Sequence, residues 1–329
     1  MKFDPILLAP RMAPMKAAGF WPDETIEQPL RRALEQCPDK TAVVSYSAAE
    51  ATPVRLSYRE LDARVDRVAR GLVRLGVGRS DVVTFQLPNC WEFIALSLAC
   101  VRIGAVANPV MPIFRQHELS FMLNFGESKV FVVPKVFRGF DYEAMARSML
   151  DGLPHLRHLV VLGGDGENSF ESALMRDDTP PIEGPGLAPD DVLLLMYTSG
   201  TTGEPKGVMH TSNTLLSNLL AYGRTMELGQ GDVILGASPM AHLTGYAYLA
   251  MLPLILNATT VLQDIWEARR ALQIACAEGV TFSMASTPFV ADLCNAVEAG
   301  EPTTPGFNKF CCAGAPIPPV LIERAAGIL

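Results

Sequence analysis

The sequence predicts an α/β protein made of two doubly wound, mostly parallel β-sheet subdomains. Three observations carry that expectation. Short apolar runs that read as strands alternate with helix-period stretches along most of the 329 residues, which implies βαβ units and a parallel sheet. The run Asp190-Asp-Val-Leu-Leu-Leu-Met196 is continuously apolar after its two acids and ends in turn residues, as a strand buried on both faces would. Residues 163–189 turn polar and rich in Gly, Pro and Asp. That linker divides a first subdomain with an N-terminal arm, residues 1–180, from a second, residues 181–329, and the length suits two such lobes.

Taken in order, residues 1–24 read as an irregular arm. Thr25 with Gln28 makes a capping box, and Leu30, Ala33 and Leu34 give a short amphipathic helix stopping before Pro38. Thr41–Tyr46 is a strand. Ser57 with Glu60 opens the clearest helix of the chain, with Leu61, Val65, Val68, Leu72 and Leu75 on its apolar face. The charges between them (Arg64, Asp66, Arg67, Arg70, Arg74) read as a solvated face. Asp81–Leu87 is a strand, and Pro88-Asn89 turns into a mostly apolar helix ending at Gly104. Strands follow at Ala105–Asn108, Val130–Val133 and Leu159–Leu162, alternating with helices at Gln116–Phe125 and Tyr142–Leu150. Beyond the linker, helices are expected near Ser212–Glu227, Ile265–Glu278, Phe289–Glu298 and Pro319–Leu329. Strands are expected at Asp232–Leu235, Thr259–Leu262, Val280–Met284 and Lys309–Cys312.

The most informative stretch is Tyr197-Thr-Ser-Gly-Thr-Thr-Gly-Glu-Pro-Lys-Gly207. Glycine lets backbone N–H groups approach an anion closely, and successive N–H groups in such a turn form an anion nest. Thr198, Ser199, Thr201 and Thr202 add hydroxyl donors and Lys206 a mobile positive charge, so the chemistry that fits is polyphosphate binding. A plain Gly/Ser/Thr surface loop is the bland alternative. The P-loop pattern G-x-x-x-x-G-K-[ST] fails, because Pro205 precedes the lysine and Gly207 stands where a magnesium-binding hydroxyl belongs.

Composition narrows the partners. The formal net charge is −8, with no block of lysine or arginine, which argues against nucleic acid. Seven cysteines without a C-x-x-C pair suit a reduced, cytoplasmic protein. No signal peptide is evident, and the apolar run Tyr246 to Leu262, broken by Pro253 and Asn257, is a poor membrane span. It reads as a core helix and the strand after it.

The order Y-T-S-G-T-T-G-x-P-K-G resembles the phosphate-binding signature of the adenylate-forming superfamily, the AMP-binding enzymes that include acyl-CoA synthetases, luciferases and peptide-synthetase adenylation domains. The resemblance extends from about Thr41 onward. Ser57-Tyr-Arg-Glu-Leu61 looks like the family's L-[ST]-Y-x-E-L segment, and Ser238-Pro-Met-Ala-His-Leu-Thr-Gly245 like its P-x-x-H-x-x-G motif. Phe310-Cys-Cys-Ala-Gly-Ala-Pro316 looks like the G-G-A-P turn, and Val280-Thr-Phe through Ser286-Thr-Pro288 like the segment bordering the acyl pocket. Asn108–Arg115, Phe137–Tyr142 and Asp264-Ile-Trp266 are similar to cyclohexanecarboxylate–CoA ligase-like enzymes.

The resemblance implies an acyl-CoA ligase that forms an acyl-adenylate from a carboxylic acid and ATP, with Mg2+, and passes the acyl group to coenzyme A. It implies Thr198, Ser199, Gly200, Thr201, Thr202, Gly203, Glu204, Pro205 and Lys206 at the phosphates, and Ala313, Gly314, Ala315 and Pro316 at the adenine. His242, Ser286 and Thr287 would shape the acyl site, with Lys206 and His242 as the catalytic pair. A lone histidine in an apolar region, as His242 is, is more often a core residue than a catalyst, and His210 could border the site. His155 and His158 read as structural and His117 as a helix-surface residue, and no metal ligand is assigned. No acid stands between Met240 and Leu256, which disfavours an amino-acid substrate and favours an apolar acyl group, alicyclic or medium-chain. A non-catalytic ATP- or acyl-binding module and an aryl-acid adenylating enzyme are the alternatives, with a homodimer left open. The family pattern continues past Leu329 with a C-terminal domain carrying a catalytic lysine, so this chain is expected to be an N-terminal portion lacking most activity.

Overall fold

In a computed structural model the chain adopts the expected α/β architecture, with two six-stranded, mostly parallel sheets. The structure describes residues 3–177, 182, 186–198 and 205–329. In chain order the strands are β1 (Thr41–Tyr46), β2 (Val54–Ser57), β3 (Val82–Phe85), β4 (Val106–Pro109), β5 (Ser128–Pro134), β6 (Val136–Phe137) and β7 (Phe140–Asp141). They continue as β8 (His158–Leu162), β9 (Val192–Thr198), β10 (Lys206–Thr211), β11 (Val233–Gly236), β12 (Thr259–Gln263), β13 (Phe282–Ala285) and β14 (Lys309–Cys312).

Two compact units share these strands, and neither is a continuous run of chain. One comprises Met1–Gln28, Asp62–Leu87 and Glu92–Asn218; the other comprises Pro29–Leu61, Pro88–Trp91 and Leu219–Leu329. These differ from the sequential halves 1–180 and 181–329. The reason is pairing: β1 runs parallel to β12 more than two hundred residues later, while β9 runs parallel to β4.

The first unit holds the sheet β10-β9-β4-β3-β5-β8, parallel except for the β9–β10 hairpin. Its interior strands are apolar on both faces, as covered parallel strands must be: all four residues of β3 are buried, as are the first five of β9. Leu119, Met122 and Leu123 of the helix Gln116–Phe125 and Met145 and Met149 of the helix Tyr142–Met149 pack on Phe131, Val133 and Val161. The second unit holds β14-β13-β11-β12-β1-β2, again parallel except at one edge, where β2 turns back on β1. There Val44, Leu235 and Val261 meet Leu272, Ala275 and Leu293 from the helices Ala268–Glu278 and Thr287–Glu298.

The Ser57 capping box closes in both directions, and the Thr25 one keeps its side-chain half, with Gln28 N–H donating instead to the Thr25 backbone carbonyl at 3.1 Å. Thr25 N–H donates to Gln28 Oε1 at 2.6 Å, Ser57 N–H donates to Glu60 Oε2 at 2.8 Å, and Glu60 N–H returns to Ser57 Oγ at 3.2 Å. Several expectations need correction. The N-terminal arm contains a helix, Ala9–Ala17, that starts with a proline in its first turn. The face assigned to solvent is paired: Asp66 binds Arg70, Arg67 lies 2.6 Å from Asp177, and Arg74 Nη2 donates to the Ala173 carbonyl at 2.6 Å. The polar linker carries a short helix, Phe170–Leu174, capped by Ser169. The apolar stretch after Gly245 begins as a π-helix, Tyr246–Met251.

Candidate functional site

In the first unit the phosphate-loop sequence connects β9 to β10. The hairpin sets Lys206 opposite Thr198, so the two ends of the stretch stand side by side, both exposed. Ser199, Gly200, Thr201, Thr202, Gly203 and Glu204 lie outside the described residues; Pro205 is half-buried. The strand entering the loop is firmly held. Tyr197 donates its hydroxyl to the Met122 carbonyl at 2.9 Å, and its ring meets Phe125 edge-on at 6.4 Å. Burial raises the Tyr197 pKa above its ordinary value against an opposing hydrogen bond with Asn108. Asn108 is itself tied to Thr84 Oγ1 at 2.9 Å, and Thr84 to Ser128 Oγ at 2.6 Å. His210, on β10, is held below its usual pKa by burial and so favours the neutral ring.

In the second unit, three adjacent parallel strands in the order β14-β13-β11 deliver the remaining candidates from their carboxyl ends. In open α/β sheets that edge is where ligands bind. His242 follows β11, Ser286 and Thr287 follow β13, and Ala313–Pro316 follows β14. The last two groups touch: Thr287 Oγ1 donates to the Pro316 carbonyl at 3.0 Å and lies 3.5 Å from Cys312 Sγ, while Ala313 N–H donates to the Ala285 carbonyl at 3.1 Å. Gly314 takes φ +85°, a left-handed turn that a side chain would strain. Thr287 thus already spends its proton on the adjoining turn, whereas Ser286, half-buried at the N-cap of the helix Thr287–Glu298, makes no capping bond with its side chain.

His242 is exposed and caps the short helix Leu243–Gly245, its Nδ1 accepting the Thr244 N–H at 3.2 Å. The bend before it is closed by His242 N–H donating to the Pro239 carbonyl at 3.0 Å. Asn89 was read from sequence only as a turn residue, yet it lies at this bend: its amide bonds Ser238 and Met240. An asparagine just after the strand end was the one available signal. In the same unit, half-buried Tyr222 packs on Tyr248 at 4.4 Å and on Phe282 at 6.2 Å, with its hydroxyl 3.5 Å from Met284 Sδ.

Among the described residues, no group of three or more His, Cys, Asp or Glu side chains could hold a metal ion. No described helix is long and apolar enough to cross a membrane, and no disulfide joins any of the described cysteines.

Residues 30–329 match the AMP-binding enzyme family. The chain is 30% identical over 311 residues to the medium-chain fatty-acid–CoA ligase of Escherichia coli (strain K12), covering 94% of this chain and 54% of that protein. It is 30% identical to a salicylyl-CoA synthase / salicylate adenylyltransferase of a Streptomyces species, covering 95% of this chain and 58% of the relative. Among solved structures it is similar to apo MbtA of Mycobacterium smegmatis, with a TM-score of 0.86 at 28% identity over 98% of this chain and 58% of that one. The chain spans about half the length of the curated relatives it matches.

Proposed function

The chain belongs to the AMP-binding enzyme family, and from that premise we propose that it is the ATP- and acid-binding portion of an AMP-forming acyl-CoA ligase. The acid is apolar, medium-chain or alicyclic. In the first step a carboxylate oxygen attacks the α-phosphorus of ATP, and the bond to the β-phosphate oxygen breaks to release pyrophosphate. In the second, the thiolate of coenzyme A attacks the acyl carbon, and the C–O bond to AMP breaks. Both encounters bring negative charge together, so the protein's task is to hold donors and positive charge where that charge grows. Lys206 and the N–H groups of its loop would serve the β- and γ-phosphates. The Ala313–Pro316 turn would seat the adenine, and His242 with Ser286 would face the carboxylate. Seven cysteines with no C-x-x-C pair among them favour a reducing, cytoplasmic setting.

The observation that carries this reading is the delivery of His242, Ser286–Thr287 and Ala313–Pro316 from the carboxyl ends of three adjacent parallel strands. The similarity to a medium-chain fatty-acid–CoA ligase supports the choice of acid. A second reading, an aryl acid, is favoured by the Tyr222–Tyr248–Phe282 cluster and by similarity to a salicylate-activating relative.

Non-hydrolysable acyl-sulfamoyl adenosines separate these readings without requiring turnover. Calorimetric titration of this chain with octanoyl and cyclohexanecarbonyl analogues should give affinities at least about tenfold above that of AMP, some 1.4 kcal/mol. A benzoyl analogue that outbinds both moves the assignment to aryl acids. No gain for any acyl group would overturn the ligase reading and leave a nucleotide-binding module.

A further inference from the structure

Asn89 spends both ends of its amide inside one short bend. Nδ2 donates to the Ser238 carbonyl at 3.0 Å and Oδ1 accepts the Met240 N–H at 2.8 Å. The residue is only 7% exposed, so those two backbone groups are satisfied away from bulk water, where a lost partner is expensive. The bend continues directly into His242, which presents an exposed ring with Nδ1 fixed as an acceptor. An accepting ring nitrogen carries no proton, so the neutral ring holds its proton on Nε2. The nitrogen left outward is therefore a donor.

We propose that Asn89 is the positioning residue of His242. Its amide clamps Ser238 to Met240, and the clamped bend holds the imidazole in the pose that leaves Nε2–H to donate to an oxygen anion, a carboxylate or a phosphate. The identity of that anion rests on the function proposed above; the pose of the ring does not. Asparagine suits the position because it supplies one donor and one acceptor. Aspartate has the same shape but turns an acceptor toward the Ser238 carbonyl, and alanine supplies neither partner.

The test is nitrogen NMR of this chain labelled at its five histidines, with His242→Gln identifying the His242 signals. At a pH where the ring is neutral, the wild-type chain should show His242 as the Nε2–H tautomer. In Asn89→Ala and Asn89→Asp its signals should move toward the average of the two tautomers while the other four histidines stay in place. Affinity for the acyl-sulfamoyl adenosine that binds best should fall about tenfold. If Asn89→Ala does not fold, the isosteric Asn89→Asp decides. Unmoved His242 signals in a folded variant overturn the proposal, and so does a shift of all five histidines together, which would make Asn89 a general fold residue. If wild type binds no analogue but the tautomer still shifts on substitution, the ligase reading fails while the positioning role stands.

Discussion

Gly245 has no room for a side chain. A Cβ there would lie 2.1 Å from the Pro239 carbonyl oxygen and 2.4 Å from its carbon, backbone atoms that cannot swing aside. Gly245→Ala should therefore push open the bend that carries His242, at a cost of about 1–3 kcal/mol. Urea denaturation should show the loss, and acyl-adenylate analogue binding should weaken with it; an unchanged midpoint would refute the close packing. Lys206 behaves oppositely. It is exposed at the start of β10, so Lys206→Ala should leave the urea midpoint nearly unmoved while weakening ATP binding about tenfold, the effect of losing one charge-assisted contact. Equal ATP affinity for wild type and variant would remove Lys206 from the phosphate site. Lys206 and His242 stand out in the sequence as candidates because each sits inside a contiguous motif. Asn89 was not, because its partner Ser238 is 149 positions away and a local pattern carries no record of what it will meet.

Among the strands read from sequence, β1 and β14 match their expected bounds, and the helix Gln116–Phe125 does too. The ones it missed, β2, β6, β7 and β10, all lie at sheet edges. β10 alternates between exposed and half-buried positions until its last residue, includes Gly207, and follows a loop motif that draws the eye away; β2 has four residues, one of them buried. Edge strands need less apolar character because one side pairs with nothing. The β1–β2 edge instead fastens itself with polar groups. Tyr46 on β1 donates its hydroxyl to Glu278, and Arg55 on β2 binds the same carboxylate through two nitrogens at 2.8 and 2.5 Å. Burial first, and the Glu278 carboxylate second, push the Tyr46 phenol from 10.0 up to about 12. The folded chain therefore keeps a proton that the unfolded chain releases between pH 10 and 12. Where the unfolded state binds fewer protons, stability falls as pH rises. This contribution is complete below pH 10 and disappears through pH 12. Tyr46→Phe should be less stable at neutral pH but lose less stability between pH 10 and 12 than wild type, in urea melts across that range. Parallel pH profiles for the two would show that Tyr46 is not the titrating group.

Sequence order and spatial order part company most at the N-terminus, where an irregular arm was expected. Residues before Gln28 belong to the first unit and are pinned to it at several points. Lys16 Nζ reaches Asp190 at 2.8 Å, Asp23 N–H donates to Asn213 Oδ1 at 2.9 Å, and Ile26 N–H donates to Ser212 Oγ at 3.2 Å. The innermost attachment is Arg102, whose guanidinium binds Glu27 at 2.7 Å and Asp62 at 2.6 Å with its side chain only 13% exposed. Burial works to lower the Arg102 pKa, but the two carboxylates outweigh it and the net shift is upward. No hydrophobic pattern could have announced this, because the attachment consists of charges drawn from three separate helices. A mostly buried pair of this kind gains little over an apolar substitute, yet removing one partner leaves the opposing charges desolvated. Arg102→Ala should therefore cost about 3–5 kcal/mol in urea denaturation, far more than an exposed ion pair is worth. Glu27→Gln combined with Arg102→Ala should cost less than the sum of the two single changes, by about 1 kcal/mol or more if the groups act as one network. Strict additivity would mean that Glu27 and Arg102 contribute independently, and that the N-terminal segment is held by its other attachments, such as Lys16 to Asp190 and Asp23 to Asn213.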